Sequence, residues 1–573
     1  MLLPGAGCRA RPISGQAGPL PRARTMLPYS KDPDWWKLAT GYQIYPRSFC
    51  DSNGDGIGDI PGILTKLDYL AELGVGFIWL SPVYRSPMAD NGYDISDYQD
   101  IAPAFGTLAD MDRLIAEAGK RGIGIVMDLV VNHSSDEHAW FQSALKGRDA
   151  LFRDFYVWRD PAPGGGVPND LQSYFGGPAW TLDEASGQYY LHLFDRKQPD
   201  LNWDNPTLRK AVHDMMNWWL DRGIAGFRMD VIDLIGKEPD RGITADGPRL
   251  HDYIREMHEA TLKGRNVVTV GEAWSATTEN ALLYSGRYSG ELSMVFQFEH
   301  VSQQWDPVYG KWKPKPFDLV ALKRVFNRWQ MALEHDGWNS LFWGNHDLPR
   351  AVSKYGDDGA NRVASAKMLA TVLHLMKGTP YIYQGEEIGM TNAAFTRIDQ
   401  FRDVETLNFY RIQTNEGVDP ADFIRGANEN GRDNARTPMQ WTAGPQAGFT
   451  TGMPWIEVNP NHCTVNAAMD RADRHGVFAH YALLARLRRE FPIIVHGAYE
   501  PVLEDHPAVV AYLRHHDGQR LAVLANFTGE PVEVDLPLSI QGKGKVLIHT
   551  GPRREELGEC IGLAPFEALA VLI

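Results

Sequence analysis

The sequence predicts an α/β protein: a parallel (β/α)8 (TIM) barrel with a subdomain inserted after the third strand and a C-terminal antiparallel β-sandwich. Three observations lead there. Eight short runs of β-branched and aromatic residues alternate with amphipathic stretches between residues 41 and 387, the pattern of βα repeats around one parallel sheet. The runs end on polar, chemically capable side chains. The alternation fails in two places, residues 134–203 and the stretch from about 493.

Taken in order, the runs are GYQIYPRSF (41–49), GVGFIWLSP (74–82), GIGIVMDLVVNH (122–133) and GIAGFRMDVI (223–232). NVVTVGEAW (266–274), LSMVFQFE (292–299), WNSLFWGNHD (338–347) and TPYIYQGEE (379–387) follow. Between them, stretches such as IPGILTKLDYLAELG carry Ile63, Leu67 and Leu70 at helical spacing. The barrel is expected over 27–133 and 204–492. Residues 134–203 are too long for a plain connection and hold many aromatics and glycines, so they are assigned to the inserted subdomain. From 493 to 573 short strands separated by turn residues predict the sandwich. Residues 1–26, rich in Pro, Gly and Arg, are read as a disordered extension.

Composition narrows the function. Over 573 residues the net charge is -15, which disfavours nucleic acid and anionic membranes and suits a neutral ligand. No apolar run is long enough to span a membrane. Four scattered cysteines without a CxxC pair, and no apolar leader, fit a cytoplasmic protein.

Barrel chemistry gathers where strands exit. Those exits carry Asp128, Asn132 and His133, then Arg228 and Asp230, then Glu272, then His346 and Asp347. Arg228 and Asp230 are two apart on a strand and share a face, with Met229 on the other. An adjacent arginine is expected to hold Asp230 ionised, as a carboxylate nucleophile requires; a structural ion pair is the other reading. Glu272 ends an apolar run beside Trp274, where desolvation is expected to favour its protonated form, that of a general acid. One ionised and one protonated carboxyl facing one space are the equipment of glycoside hydrolysis. Histidines outside Cys or HExxH contexts are read as hydrogen-bonding groups for sugar hydroxyls.

The stretch DSNGDGIGD (51–59) resembles an EF-hand opening, with oxygen-bearing side chains at alternate positions. Position 12, however, is Gly62, and a strand pattern precedes the loop. It is therefore no EF-hand; an Asx-rich turn without an ion is one reading.

The blocks DLVVNH, GFRMDV, GEAW and NHD, in that order, resemble the α-amylase superfamily of retaining glycoside hydrolases (family 13). ADNGYDISDY, QPDLNWDNP, TPYIYQGEEIGMTN and GRDNARTPMQW extend the likeness to the oligo-1,6-glucosidase and dextran glucosidase branch; FRMDVIDLIGK and SMVFQFEH look closest to glucan 1,6-α-glucosidases. The resemblance implies Asp230 as nucleophile, Glu272 as acid/base and Asp347 as a third carboxylate gripping sugar hydroxyls. It implies sugar contacts from Arg228, His133 and His346, a pocket floor from Asp90 and Tyr93, and Arg432 as the partner that closes the site beyond Asp90. Val231, after the nucleophile, accompanies α-1,6 preference in this branch. Lys311 and Glu405 are expected at a second glucose. The resemblance also implies a structural Ca2+, or Mg2+, on Asp51, Asn53, Asp55, the Ile57 carbonyl and Asp59. The expected protein is a retaining, exo-acting α-glucosidase that releases glucose from the non-reducing ends of α-1,6-linked glucans and isomalto-oligosaccharides, with no organic cofactor, a monomer whose partner is a neutral α-glucan or oligosaccharide. Oligo-1,6-glucosidase, α-1,4-glucosidase, trehalose-6-phosphate hydrolase, sucrose isomerase and a non-catalytic accessory subunit are the alternatives.

Overall fold

A computed structural model describes residues 33–573; the extension assigned to 1–26 lies outside the described residues. All eight barrel strands form, shorter than their apolar runs: β1 (Gly41–Ile44), β2 (Phe77–Leu80), β3 (Gly124–Val130), β4 (Gly226–Asp230), β5 (Val268–Glu272), β6 (Met294–Phe296), β7 (Ser340–Leu341) and β8 (Thr379–Tyr383). They pair in the order β6-β5-β4-β3-β2-β1-β8-β7, every neighbour parallel. One parallel bridge, Val295 to Asn339, joins the ends and closes the ring. The run WNSLFWGNHD gives β7 two residues; the rest leaves the ladder as the loop carrying His346 and Asp347.

Period-two alternation builds two cores. Phe77, Trp79, Val126, Val268, Val270, Met294, Phe296 and Tyr381 pack together inside the barrel. Ile78, Leu80, Phe227 and Met229 face outward into the main core with the helices. Trp35 and Trp36, from the helix Trp35–Leu38, join the interior cluster at the end where β8 begins, and Thr379 Oγ1 donates to the Trp36 carbonyl. That end is plugged, so space for chemistry remains at the opposite mouth.

Within 134–203 a three-stranded antiparallel sheet forms from Trp158–Arg159, Gln188–Leu191 and Trp180–Asp183. Bridges from His133 to Asp200 and from Tyr156 to Leu201 fasten its ends beside the exit of β3. Near the C-terminus a short helix, Pro492–His496, precedes the first sandwich strand, Ala498–Val502. The five-stranded antiparallel sheet it opens is buried on both faces. Tyr512, Leu521, Val523 and Ala570 pack into the barrel-side core, and Leu513, Ala522, Leu524 and Val571 into the sandwich. Double burial explains why AVVAYL and RLAVLANF lack polar alternation. Arg514 is buried at this junction and donates to the carbonyls of Leu375 (2.7 Å) and Ile494 (2.9 Å).

At the start of β4, Gly226 has φ +145°, and a Cβ there would lie 1.7 Å from the Val268 carbonyl oxygen of β5. Gly226→Ala is expected to lower stability by about 1–3 kcal/mol or more, the cost of overpacking a filled core; the shift of the urea unfolding midpoint measures it.

Candidate active site

The parallel register sets Asp128 of β3 opposite Arg228 of β4, and Arg228 opposite Val270 of β5, two residues before Glu272. Arg228 is buried and gathers three carboxylates. Its Nη1 donates to Asp128 Oδ1 (2.8 Å) and Asp230 Oδ1 (2.6 Å), and its Nη2 to Glu272 Oε2. Tyr93 and Trp79 each donate to Asp128 Oδ2 at 3.0 Å. One guanidinium thus serves three acids from three adjacent strands.

This arrangement corrects the expectation for Asp230. Burial pushes its carboxyl well above the usual range; Arg228 opposes this, while the charges of Glu272 and Asp128 reinforce it. Arginine is beside it as expected, but is shared. Trp274 also differs from the apolar wall expected: its indole Nε1 donates to Glu272 Oε1 (3.0 Å) and its ring stacks on Phe298, centroids 3.9 Å apart. The Val231 backbone N–H donates to Glu272 Oε2 (3.2 Å). Val231 reaches this position with φ +35°, a left-handed conformation strained for a β-branched residue.

A second cationic node faces the first. Asp347 accepts from Arg436 Nη2 (2.8 Å) and Arg432 Nη1 (3.3 Å), and His346 Nε2 lies 3.1 Å from its Oδ2. Burial pushes Asp347 up, yet His346, Arg432 and Arg436 outweigh it and hold the carboxyl below the usual range. Gln43 Nε2 meets His346 Nδ1 at 2.8 Å, so the neutral ring accepts there and donates from Nε2. Burial brings this imidazole down to about 3. Tyr93 stacks on it at 5.1 Å and 7°. Arg432 also reaches Asp90 (3.3 Å), Asp403 (2.9 Å) and Glu405 (3.3 Å). Burial raises Asp90 to about 7 against the pull of Arg432 and Arg436.

Between the nodes lies a cavity of about 490 Å³. Asp230, Glu272, Asp347, Asp90, Tyr93, His133, Val231, Lys311, Glu405 and Arg432 all line it. Arg228 and His346 do not; each is 1% exposed and stands behind the carboxylates it orients. His133 Nε2 donates to the Tyr93 carbonyl (3.1 Å), and burial lowers this histidine to about 4. Lys311 and Glu405 pair with each other at 2.6 Å on the rim.

Comparison with known proteins fits this geometry. The model for the α-amylase catalytic domain matches residues 43–497, and that for the maltogenic amylase C-terminal domain matches 499–568. The chain belongs to the α-amylase family of glycoside hydrolases. Among curated relatives, a palatinase of Erwinia rhapontici is 57% identical over 544 residues, covering 94% of this chain and 98% of its own. An oligo-1,6-glucosidase of Halalkalibacterium halodurans and a glucan 1,6-alpha-glucosidase of Streptococcus pneumoniae are each 52% identical, covering 94% of this chain and 99% of theirs. The crystal structure of a Bacillus licheniformis trehalose-6-phosphate hydrolase superposes with a TM-score of 0.89 at 47% identity, covering 94% of this chain and 99% of that one.

Sequence reasoning passed over several residues of this family-13 site. Asp403 anchors both Arg432 and Arg436, but locally it reads as the N-cap of the helix Val404–Asn415, where its Oδ2 accepts from Thr406. Arg436 sits four residues after Arg432 in the same RDNAR block, which was the available signal. Gln198, Phe175 and Phe194 reach the cavity from the inserted subdomain, and Gln198 Nε2 donates to Asp90 Oδ2 at 3.2 Å.

The loop 51–59 lies outside this cavity. Its acids turn onto backbone amides and one hydroxyl: Asp51 Oδ1 accepts from the Asn53 and Gly54 N–H groups, Asp51 Oδ2 from the Gly56 N–H and the Thr450 hydroxyl, Asp55 Oδ1 from the Ile57 N–H, and Asp59 Oδ1 from the Gly62 N–H. Although burial raises Asp51, Thr450 and those amides prevail and keep its carboxyl below the ordinary value. Among the described residues no three His, Cys, Asp or Glu side chains converge as a metal cluster, and no helix is long and apolar enough to cross a membrane.

Asp90 generates a pH prediction. Its folded pKa, about 7, exceeds the unfolded value, about 4 for an aspartate, so the folded protein binds the extra proton between them. The stability from this group is complete below the unfolded pKa and is lost as pH rises through 7. The Tm of Asp90→Asn minus that of wild type is therefore expected to increase from pH 5 to pH 8, followed by thermal melts in matched buffers.

Proposed function

We propose that this family-13 enzyme is a retaining, exo-acting α-glucosidase that releases glucose from the non-reducing ends of α-1,6-linked glucans and isomalto-oligosaccharides. Glu272 protonates the glycosidic oxygen while Asp230, in the ionised form that its pair with Arg228 favours, attacks the anomeric carbon and the bond to the leaving sugar breaks. A covalent β-glucosyl ester forms. Glu272, now the base, takes a proton from water, which displaces Asp230 and frees α-glucose. Asp347, ionised between two arginines and His346, grips sugar hydroxyls, and the Tyr93 ring offers a stacking face.

The observation that carries this reading is the position of Arg432. It ties Asp90, Asp347 and Glu405, which line the cavity, to the buried Asp403 behind them, which supports a pocket for a chain end over a groove for the middle of a polymer. Val231 at the cavity wall and the likeness to an oligo-1,6-glucosidase and a glucan 1,6-alpha-glucosidase, each 52% identical, support α-1,6 preference. A phosphorylated substrate fits the lining poorly. Asp90, Asp230, Asp233, Glu272, Asp347 and Glu405 face it, whereas its lysine and arginine, Lys311 and Arg432, are both already paired with carboxylates.

The loop 51–59 is assigned a structural role. Asp51, Asn53, Asp55, the Ile57 carbonyl and Asp59 would supply only oxygen donors, the chemistry of a hard cation such as Ca2+ or Mg2+, once the acids turn from the amides they accept from here. Such an ion would brace the loop and take no part in bond cleavage.

Four measurements test these statements. Asp230→Asn is expected to lose on the order of 10⁴-fold or more in kcat on isomaltotriose, as loss of a nucleophile does. Proton NMR of early product is expected to show α-glucose before mutarotation, and isomaltose, isomaltotriose and dextran should outpace maltose, sucrose and trehalose 6-phosphate. Chelation by EDTA should lower the wild-type Tm, with recovery on adding Ca2+, and leave that of Asp51→Ala unmoved.

A further inference from the structure

The exits of β4 and β5 are joined by two rungs beyond the ladder. The first is the Val231 N–H to Glu272 bond. The second lies further along both exits: Ser275 gives its backbone N–H (2.9 Å) and its hydroxyl (2.7 Å) to Asp233 Oδ2. Asp233 sits in the 3-10 turn Ile232–Leu234, directly after the strained Val231. It is 1% exposed, and its Oδ1 is buried with no hydrogen-bond partner among the described residues. Keeping a half-satisfied carboxyl in such a place costs stability.

What lies between the rungs gives the residue its role. Trp274 is sandwiched in sequence between Ala273 and Ser275, with its ring on Phe298 and its indole N–H on Glu272 Oε1. Holding Ser275 therefore holds the peptide that aims this indole. Asp233 is itself fixed from behind. Asp246 N–H donates to the Asp233 carbonyl (3.0 Å), and Tyr284 and Asn280 both bond the Asp246 carboxylate. Asn280 Nδ2 also reaches the Ser275 carbonyl at 3.4 Å. The connection after β4 and the turn after β5 thus form one hydrogen-bonded unit that does not pass through Arg228.

We propose that Asp233 is a positioning residue for the acid/base step, fixing through Ser275 the turn that orients Trp274 and Glu272 toward the glycosidic oxygen. This rests on the reading of Glu272 as the acid/base. A misaimed acid slows departure of a poor leaving group far more than of one that leaves without protonation.

The test compares isomaltose with 2,4-dinitrophenyl α-glucoside. For Asp233→Ala, kcat/KM on isomaltose should fall on the order of 100-fold, the scale of an ångström-level misplacement, mainly through kcat. On the activated glucoside the loss should be under about tenfold. Asp233→Asn, which keeps an acceptor for Ser275, should return to within about threefold of wild type on isomaltose. Ser275→Ala, which retains the backbone bond, should show the same contrast in weaker form and serves if Asp233→Ala does not fold. Equal losses on both substrates, or wild-type rates in Asp233→Ala, would overturn the proposal. Glu272→Ala is the separate control: if it shows no preference for the activated glucoside, the assignment of Glu272 fails whatever Asp233 does.

Discussion

The site depends on one buried guanidinium. Arg228 stands inside the barrel mouth and is shared by Asp128, Asp230 and Glu272, which arrive on three neighbouring strands. Three ionised carboxylates against one cation would leave two negative charges uncompensated in a buried space, which the desolvation of Asp230 makes plain. The cation sets where the acids can point and how much charge they can carry together. The interior aromatics beneath it, Trp79 and Phe296, exclude water from below and strengthen its electrostatics.

A second constraint acts from across the cavity. Arg432 and Arg436 hold Asp347 and Asp403 ionised against their burial. Asp90, on the same arginine but less favoured, is raised. Chemically similar acids in one wall thus differ in charge because they differ in how many cations they face. The inserted subdomain completes the enclosure with Gln198, Phe175 and Phe194.

Much of this could be read from residues in a row. All eight apolar runs became barrel strands, because a strand buried on both faces needs an unbroken β-branched and aromatic segment. Arg228 and Asp230 share a face because strand periodicity demands it. What escaped was long-range. The environment of Asp230 depends on Asp128, a hundred residues earlier, and on Glu272, which comes later. Asp403 carries the signature of a helix cap and conceals its second role in the oxygen that the cap leaves free. Trp274 looks apolar in a string of letters, yet offers a donor once its ring is pinned on Phe298.

The barrel's closure has a consequence for how this scaffold changes. Seven strand junctions are continuous ladders, whereas β6 and β7 meet through the Val295–Asn339 bridge and one side-chain bond, Ser340 Oγ to the Val295 carbonyl (2.6 Å). The segment spanning that weak seam bears Trp305 and Lys311 on the open side of the cavity. Insertions or rewritten loops there would disturb few interstrand bonds. The fold thus leaves one quadrant of its rim free to drift while the walls held by Arg228, Arg432 and Arg436 stay fixed.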